Sequence, residues 1–512
     1  MSSALGIDIG TTNVKAVLIA DDGSLASSAS RELTTITGGG SVEQDAEVTW
    51  QAVIDAILEL GKSRPQIYGQ VRAMGVCSQY SSIVGIDADA KPVTPMVMWA
   101  DQRGTDLSWE IMSRHEDAFT IWVDRHGIPP VGGGISLAHI LHLEHSHKNS
   151  RAVDYYVESM DFITARLTGR VTATTNSAFM TQLCDNRSDP APDYDPDLVA
   201  MAGLDPSRLP PLVPIDSIVG ELSADLAKTL GLPPGVLVAT GTNDTAAVAI
   251  ASGATAPGVA GLAVGTTTVL VDTLDSFAVD LDHEIVSMPG PFGDTRLVMA
   301  ENGLGGKVLD HVMTQLIHVS DTIGDSRATN PFGSVELALS KSPPGADGVM
   351  FLPWLAGSMA PNSSHETRGG FVNMSLDTSR IDLVRAAVEG IAHNLGWLLP
   401  HVENLTGRAI EVIHFTGGGA RIDGFDQVMA DVVGRPVAVV DTPHLATARS
   451  AALLARHRTG ELTRDELGDL VETCPARDPS PEHRSLYDHR QSQFEACFEA
   501  LLPIHTAFRG AS

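Results

Sequence analysis

The residues of this 512-residue chain whose types and spacing could do chemistry are two aspartates, two glycine turns carrying threonine pairs, and one triple-glycine loop. Gly10-Thr11-Thr12 and Gly265-Thr266-Thr267 each place small residues and hydroxyls between apolar runs. Such turns suit phosphate, because amide N–H groups and Thr hydroxyls can reach its oxygens without obstruction. A plain hairpin turn would read the same from one copy alone. The copies differ where Asp8 stands before the first turn and Ala263 before the second. Mg²⁺ prefers one or two carboxylates plus phosphate oxygens, which makes Asp8 the candidate metal-side acid.

Asp244 follows the apolar run Val236 to Ala239 and opens a small-residue helix ending near Gly253. A carboxylate there is favourable through the helix dipole by ~0.3 to 1 kcal/mol, so its position alone does not separate capping from catalysis. Its polar company adds a second reading. Gln79 follows a short strand, and Trp99-Ala100-Asp101-Gln102-Arg103 packs an indole, a carboxylate and a guanidinium into five positions. That combination suits a polyol pocket: charged groups exchange hydrogen bonds with adjacent hydroxyls, and the indole covers an apolar face.

Thr416-Gly417-Gly418-Gly419-Ala420-Arg421 follows another strand and precedes a helix, so the chain can lie flat against a ligand such as a purine. It is no dinucleotide fingerprint, since Ile422 occupies the place of the last glycine of GxGxxG, and the chain has no GxxxxGK[ST]. His139, His142, His145 and His147 lie on one helical stretch without a nearby cysteine or an HExxH arrangement, and are read as ordinary helix histidines rather than a metal site.

These groups need elements to position them, and an internal repeat supplies the frame. Gly6-Ile7-Asp8-Ile9-Gly10-Thr11-Thr12-Asn13-Val14 recurs as Gly261-Leu262-Ala263-Val264-Gly265-Thr266-Thr267-Thr268-Val269, an offset of 261 − 6 = 255 residues, close to half the chain. Each half is expected to open with a β-hairpin. Strands at 71–76, 83–86 and 411–415 alternate with helices at 48–60, 135–144, 381–398 and 424–433, the pattern of an α/β protein. Loops are expected at Asp185 to Pro196 and Asp205 to Pro214, a junction at 251–261, and a tail from Thr463 that turns helical at 492–502.

Composition limits the partners. The charge is 34 − 63 = −29, and no basic run offsets it, which argues against nucleic acid and anionic membrane surfaces; the 5% aromatic content gives little base-stacking surface. No window approaches the ~18 apolar residues of a membrane span. Four scattered cysteines suggest neither a zinc site nor a disulfide framework, and with no leader-like N-terminus the expected compartment is the cytoplasm.

Taken together, these motifs resemble the FGGY carbohydrate kinases, xylulokinase-like members above all, from Gly6 to about Gly460. Asp8 with Gly10-Thr11-Thr12 looks like the family's first phosphate motif, Val42-Glu43-Gln44-Asp45 followed by Trp50 like the segment after its first hairpin, and Trp99 to Arg103 like its sugar-contacting WxDxR pattern. Gly265-Thr266-Thr267 is similar to the second phosphate motif, Gly417-Gly418-Gly419-Ala420-Arg421 to the adenosine motif, and Gly369 to Glu389 to the C-terminal signature, with Asn373 for its usual glycine. Gln79-Tyr80-Ser81-Ser82 replaces the Gln-Met-His-Gly of xylulokinases, and His139 and His142 stand where the N-terminal signature has Lys and Trp.

The resemblance implies an α/β fold of two actin-like, ribonuclease H-like domains related by duplication, with a ligand cleft between them. Domains are expected at 1–253 and 254–462, with a helical tail at 463–512 packed on the body. The implied activity is transfer of the γ-phosphoryl group of ATP, with Mg²⁺, to a hydroxyl of a ketose or polyol. Asp244 would be the base, for which an ordinary carboxylate pKa near ~4 suffices if the proton leaves late. Gln79, Tyr80, Trp99, Asp101 and Arg103 would contact the sugar, and a homodimer is expected. The competing readings are a tetritol- or glycerol-type polyol kinase and a non-catalytic actin-like sugar sensor.

Overall fold

The computed structural model describes residues 2–188, 193–322 and 324–509. Residues 189–192 of the loop expected over Asp185 to Pro196 lie outside them, and Pro196 itself opens a helix, Pro196–Ala202, capped by Asp195.

Two mixed sheets carry the molecule, and they are built alike. In the first, β1 (Ser3–Ile9), β2 (Asn13–Ile19) and β3 (Leu25–Glu32) form an antiparallel meander; β4 (Val71–Ser78) pairs parallel with β1. Next come β5 (Ile218–Glu221), β6 (Leu237–Ala239) and the short β7 (Thr242–Asn243), giving the order β5-β6-β4-β1-β2-β3 with β7 also on β4. Helix α1 (Asp244–Ser252) leads to the second sheet.

There β8 (Val259–Val264), β9 (Thr267–Leu274), β10 (Val279–Asp280), β11 (Ile285–Pro289), β12 (Arg296–Leu304), β13 (Val412–Thr416) and β14 (Val437–Val439) run in the order β10-β11-β12-β9-β8-β13-β14. The path β3-β2-β1-β4-β6 thus repeats as β12-β9-β8-β13-β14, with antiparallel, antiparallel, parallel and parallel pairings in both. This is the duplicated actin-like arrangement.

β1 is buried along its whole length because both its faces are covered. Leu5, Ile7 and Ile9 face the helix Ala46–Ser63, whose Thr49, Trp50, Val53, Ile57 and Leu60 recur at helical spacing. Ala4 faces α2 (Ala446–Arg458), a helix from the far end of the second half. A Cβ on Gly6 would overlap the Ala448 carbonyl oxygen, and one on Gly75 the Ala451 carbonyl oxygen. The helices cross over: α2 seats on the first sheet, while α1 seats on the second, where a Cβ on Gly261 would overlap the Ser252 hydroxyl. The glycines that open the two repeats are therefore a duplicated helix seat.

The long helix Arg380–Thr406 starts at a Ser379–Asp382 capping box and ends at Gly407 in the left-handed region. It runs past the expected end at Leu398 because Leu395, Leu398, Leu399 and Val402 keep one buried stripe across Pro400, which costs a single backbone hydrogen bond. The tail helix, Arg484–Arg509, begins earlier than expected and packs Phe494 and Phe498 against Trp354. Beside the first sheet stands a small five-stranded one, in which Ser41–Gln44 and Met96–Val97 pair and bring Glu43 and Gln44 beside the loop carrying Trp99.

Candidate active site

Strand register gathers the expected acceptor-side residues at one edge. Ile9 and Asn243 both pair with Ser78, so Gly10, Gln79 and Asp244 emerge side by side where β1, β4 and β7 end. Asp244 is not needed as a helix cap: Asn243 takes that task, its side chain accepting from the Ala246 N–H at 2.8 Å while its own amide donates to the Asn176 carbonyl at 2.9 Å. Burial, then the charges of Asp8 and Glu301, push the Asp244 carboxyl up to about 7. An ordinary carboxylate value would have sufficed for a base; burial first, and then the two neighbouring acids, set this one higher.

Thr11 links the first turn to Gln79 and Trp99. Its hydroxyl donates to Gln79 Oε1 at 2.5 Å and accepts from Trp99 Nε1 at 3.2 Å, and its carbonyl accepts from Gln44 Nε2 at 2.7 Å. Gln79 is 7% exposed, and among the described residues its Nε2 has no partner. Thr12 is exposed, its hydroxyl accepting from Asn13 at 3.0 Å. Tyr80 crosses to the other half: its hydroxyl donates to Glu301 Oε1, on β12, at 2.6 Å.

Asp101 and Arg103 satisfy each other. Asp101 is fully buried; its Oδ2 accepts from the Val42 N–H at 2.8 Å and from Arg103 Nη2 at 2.7 Å, and its Oδ1 from the Arg103 backbone N–H at 2.9 Å. Burial alone would raise this carboxyl, but these donors outweigh it and hold it below the usual range. Arg103 also pairs with Glu43 at 2.6 Å. The set clasps the strand Ser41–Gln44 against the Trp99 loop. His139 Nε2 lies 3.3 Å from the Asp101 carbonyl, and burial pushes its imidazole down to about 4, so it is neutral.

On the phosphate side, Asp8 points from the same face of β1 as Gly6, toward α2. Its Oδ2 accepts from the Thr447 hydroxyl at 2.7 Å and lies 3.8 Å from Lys15 Nζ. Among the described residues no group of three His, Cys, Asp or Glu could hold a metal. Asp8, 7% exposed and held by one hydroxyl, fits an ion that arrives with phosphate oxygens and keeps its water, not one caged by protein. The second turn closes tighter than the first: Gly265 N donates to Thr267 O at 2.9 Å, against Gly10 N to Asn13 O at 3.0 Å, and Gly306 N donates back to Gly265 O at 2.8 Å.

In the third loop the glycines differ in purpose. Gly417 has φ +88° and, like Gly419, leaves no room for a Cβ beside Val264, whereas a Cβ on Gly418 would meet nothing. Gly418 is the one of the three with open space beside it. His444 is pushed down first by burial, then by the nearby charges of Arg421 and Lys15, which sets the third loop against the first.

Sequence reasoning missed Lys15, Thr447 and Glu301. Lys15 was within reach, as a lone cation in the apolar return strand of the first hairpin. Thr447 and Glu301 lie 439 and 221 residues from their partners and carry no local signature.

Comparison with known proteins fixes the class. Residues 3–251 match the FGGY family of carbohydrate kinases, N-terminal domain, and residues 261–458 its C-terminal domain. The chain belongs to the FGGY family of carbohydrate kinases and is an ATP-dependent sugar kinase of that family. It is 24% identical to a gluconokinase of Bacillus subtilis (strain 168) over 506 residues, covering 95% of this chain and 94% of the relative. It is 28% identical to a xylulose kinase of Streptomyces coelicolor over 460 residues, covering 89% and 88%. Its fold matches the crystal structure of a gluconate kinase from Lactobacillus acidophilus at a TM-score of 0.85 and 22% identity, over 99% of both chains. No helix among the described residues is long and apolar enough to cross a membrane.

Proposed function

We propose that this chain phosphorylates a hydroxyl of a ketose or polyol, with Asp244 as the base. The observation that carries the reading is the setting of Asp244: relieved of capping by Asn243, pushed up to about 7, and at the same strand edge as Gln79, whose Nε2 has no partner among the described residues. A base poised near neutrality both accepts a hydroxyl proton and exists in its ionised form at working pH. Because phosphoryl transfer passes through a loose transition state, the first task of Asp244 is to aim the hydroxyl.

Gln79 would donate to a sugar oxygen and Trp99 would cover the sugar's apolar face, with Asp101 and Arg103 holding the wall they stand on. Gly10-Thr11-Thr12 and Gly265-Thr266-Thr267 would receive phosphate, Lys15 would balance its charge, and Gly418 with Arg421 would seat adenosine. Asp8 would hold Mg²⁺, which when bound neutralises charge developing on the phosphate oxygens. Closure of the two halves would exclude water.

The test is a panel of free ketoses, polyols and gluconate with MgATP, read as acceptor-dependent ADP release. Acceptor-dependent turnover of a ketose or polyol supports the reading. Sugar-independent hydrolysis, or sugar binding without a phosphorylated product, sinks it in favour of a sensor.

A further inference from the structure

We propose that Glu301, held by Tyr80, makes the acceptor pocket take uncharged ketoses or polyols and refuse aldonates. The inference rests on the kinase reading above and adds what the pocket rejects. Overall similarity does not decide the point, since a gluconokinase and a xylulose kinase are both matched at comparable identity.

The charges around Asp244 do bear on it. Asp8 and Glu301 both act on the Asp244 carboxyl, and both are acids. Glu301 is half-buried and engaged through Oε1 by Tyr80 at 2.6 Å; among the described residues neither it nor Asp244 forms an ion pair. The cations nearby are committed elsewhere. Arg103 is shared between Asp101 and Glu43, Lys15 stands beside Asp8, and Arg421 belongs to the third glycine loop. His139 and His142 are both pushed down by burial and so add no positive charge.

A ligand carboxylate at this edge would therefore meet two acids, Asp244 and Glu301, and one amide with no partner among the described residues, Gln79 Nε2. Like charges repel more strongly in such a partly buried site than in open water. A hydroxyl suits the same groups: it donates to Glu301 Oε2 or Asp244 and accepts from Gln79. Glu301 is thus a specificity-determining residue, supplied by the second half of the chain to a pocket otherwise built by the first.

The experiment measures kcat and KM for D-gluconate and for the best uncharged acceptor in the wild type, Glu301→Gln and Tyr80→Phe, with melting temperatures as a check on folding. In the wild type, kcat/KM for gluconate is expected to be about a hundredfold or more below that of the uncharged acceptor. Glu301→Gln keeps an acceptor for Tyr80 while removing the charge, and should raise the gluconate-to-uncharged ratio about tenfold or more, through the KM for gluconate. Tyr80→Phe leaves the carboxylate with one donor fewer and should not raise the ratio, whereas general damage would move both variants alike. Wild-type turnover of gluconate equal to the uncharged acceptor, or an unchanged ratio in Glu301→Gln, overturns the proposal; if Glu301→Gln does not fold, the wild-type ratio decides. Turnover of no acceptor at all, with ATP still bound, defeats the kinase reading instead, and the inference falls with it.

Discussion

Thr447 donates its hydroxyl to Asp8 at 2.7 Å, although the two are separated by 439 residues. Thr447 sits in the first turn of α2, the helix that the second half of the chain lays on the first sheet, so the acid proposed to face the metal is held by the half proposed to bind adenosine. A hydrogen bond to a charged group is worth about 1.5 to 3 kcal/mol. Thr447→Val should therefore lower kcat/KM for MgATP roughly ten- to a hundredfold, while Thr447→Ser, which keeps the hydroxyl, stays near wild type. Steady-state kinetics with MgATP varied would check this; equal loss in both variants would point to packing rather than to the bond.

Gly6 and Gly75 should be intolerant of a single methyl group, because each faces a carbonyl oxygen of α2 and backbone cannot rotate aside. Gly6→Ala or Gly75→Ala is expected to cost about 3 kcal/mol or more, by displacing α2. Gly10→Ala places its Cβ 3.4 Å from Asn13 O and should cost roughly 1 kcal/mol or less. Urea unfolding of the three variants would rank them; a Gly10→Ala as damaging as Gly6→Ala would contradict the helix-seat reading.

The same glycines show what a sequence can and cannot disclose. The repeat from Gly6 and from Gly261 was legible because strand, turn and return strand are local, and two local copies define two sheets. Why Gly6 must be glycine was not, since the reason is Ala448, in a helix from the other end of the chain. Asp244 was legible as an acid opening a helix after a strand. Its release from capping rests on Asn243 and Asn176, and its raised pKa on burial and then on Asp8 and Glu301, relationships set by folding alone. Asp101 and Arg103 were read as reaching for a ligand; their distance of two residues also lets them bind each other, which spacing does not distinguish.

If Asp244 is the base, acidification should switch the enzyme off near neutrality. The carboxyl is pushed up to about 7 and acts ionised, so kcat/KM for the acceptor should fall about tenfold per pH unit below that point. Glu301→Gln removes one of the charges raising it and should shift the acid limb to lower pH. The profile of kcat/KM against pH from 5 to 9 checks both; a limb that stays put in Glu301→Gln would separate Glu301 from the base.

The same raised pKa makes Asp244 a burden on the fold, which gives Asp244→Asn two opposite effects. Between the ordinary value of 3.8 and about 7, the folded state holds a proton that the unfolded state has released. Stability contributed by this group therefore falls as pH rises through that window, and above about 7 the full cost of burying the ionised carboxylate is present. Asn cannot ionise, so Asp244→Asn should melt higher than wild type at pH 8 and show a smaller difference at pH 5. Its kcat should drop by about 10² to 10⁴, the usual contribution of a positioned base, while the Kd for ATP is unchanged. Calorimetry at the two pH values together with acceptor-dependent ADP release tests the pair. Near-native turnover would remove Asp244 from the chemistry, and a melting difference that does not grow with pH would show that the carboxylate is solvated rather than strained by burial.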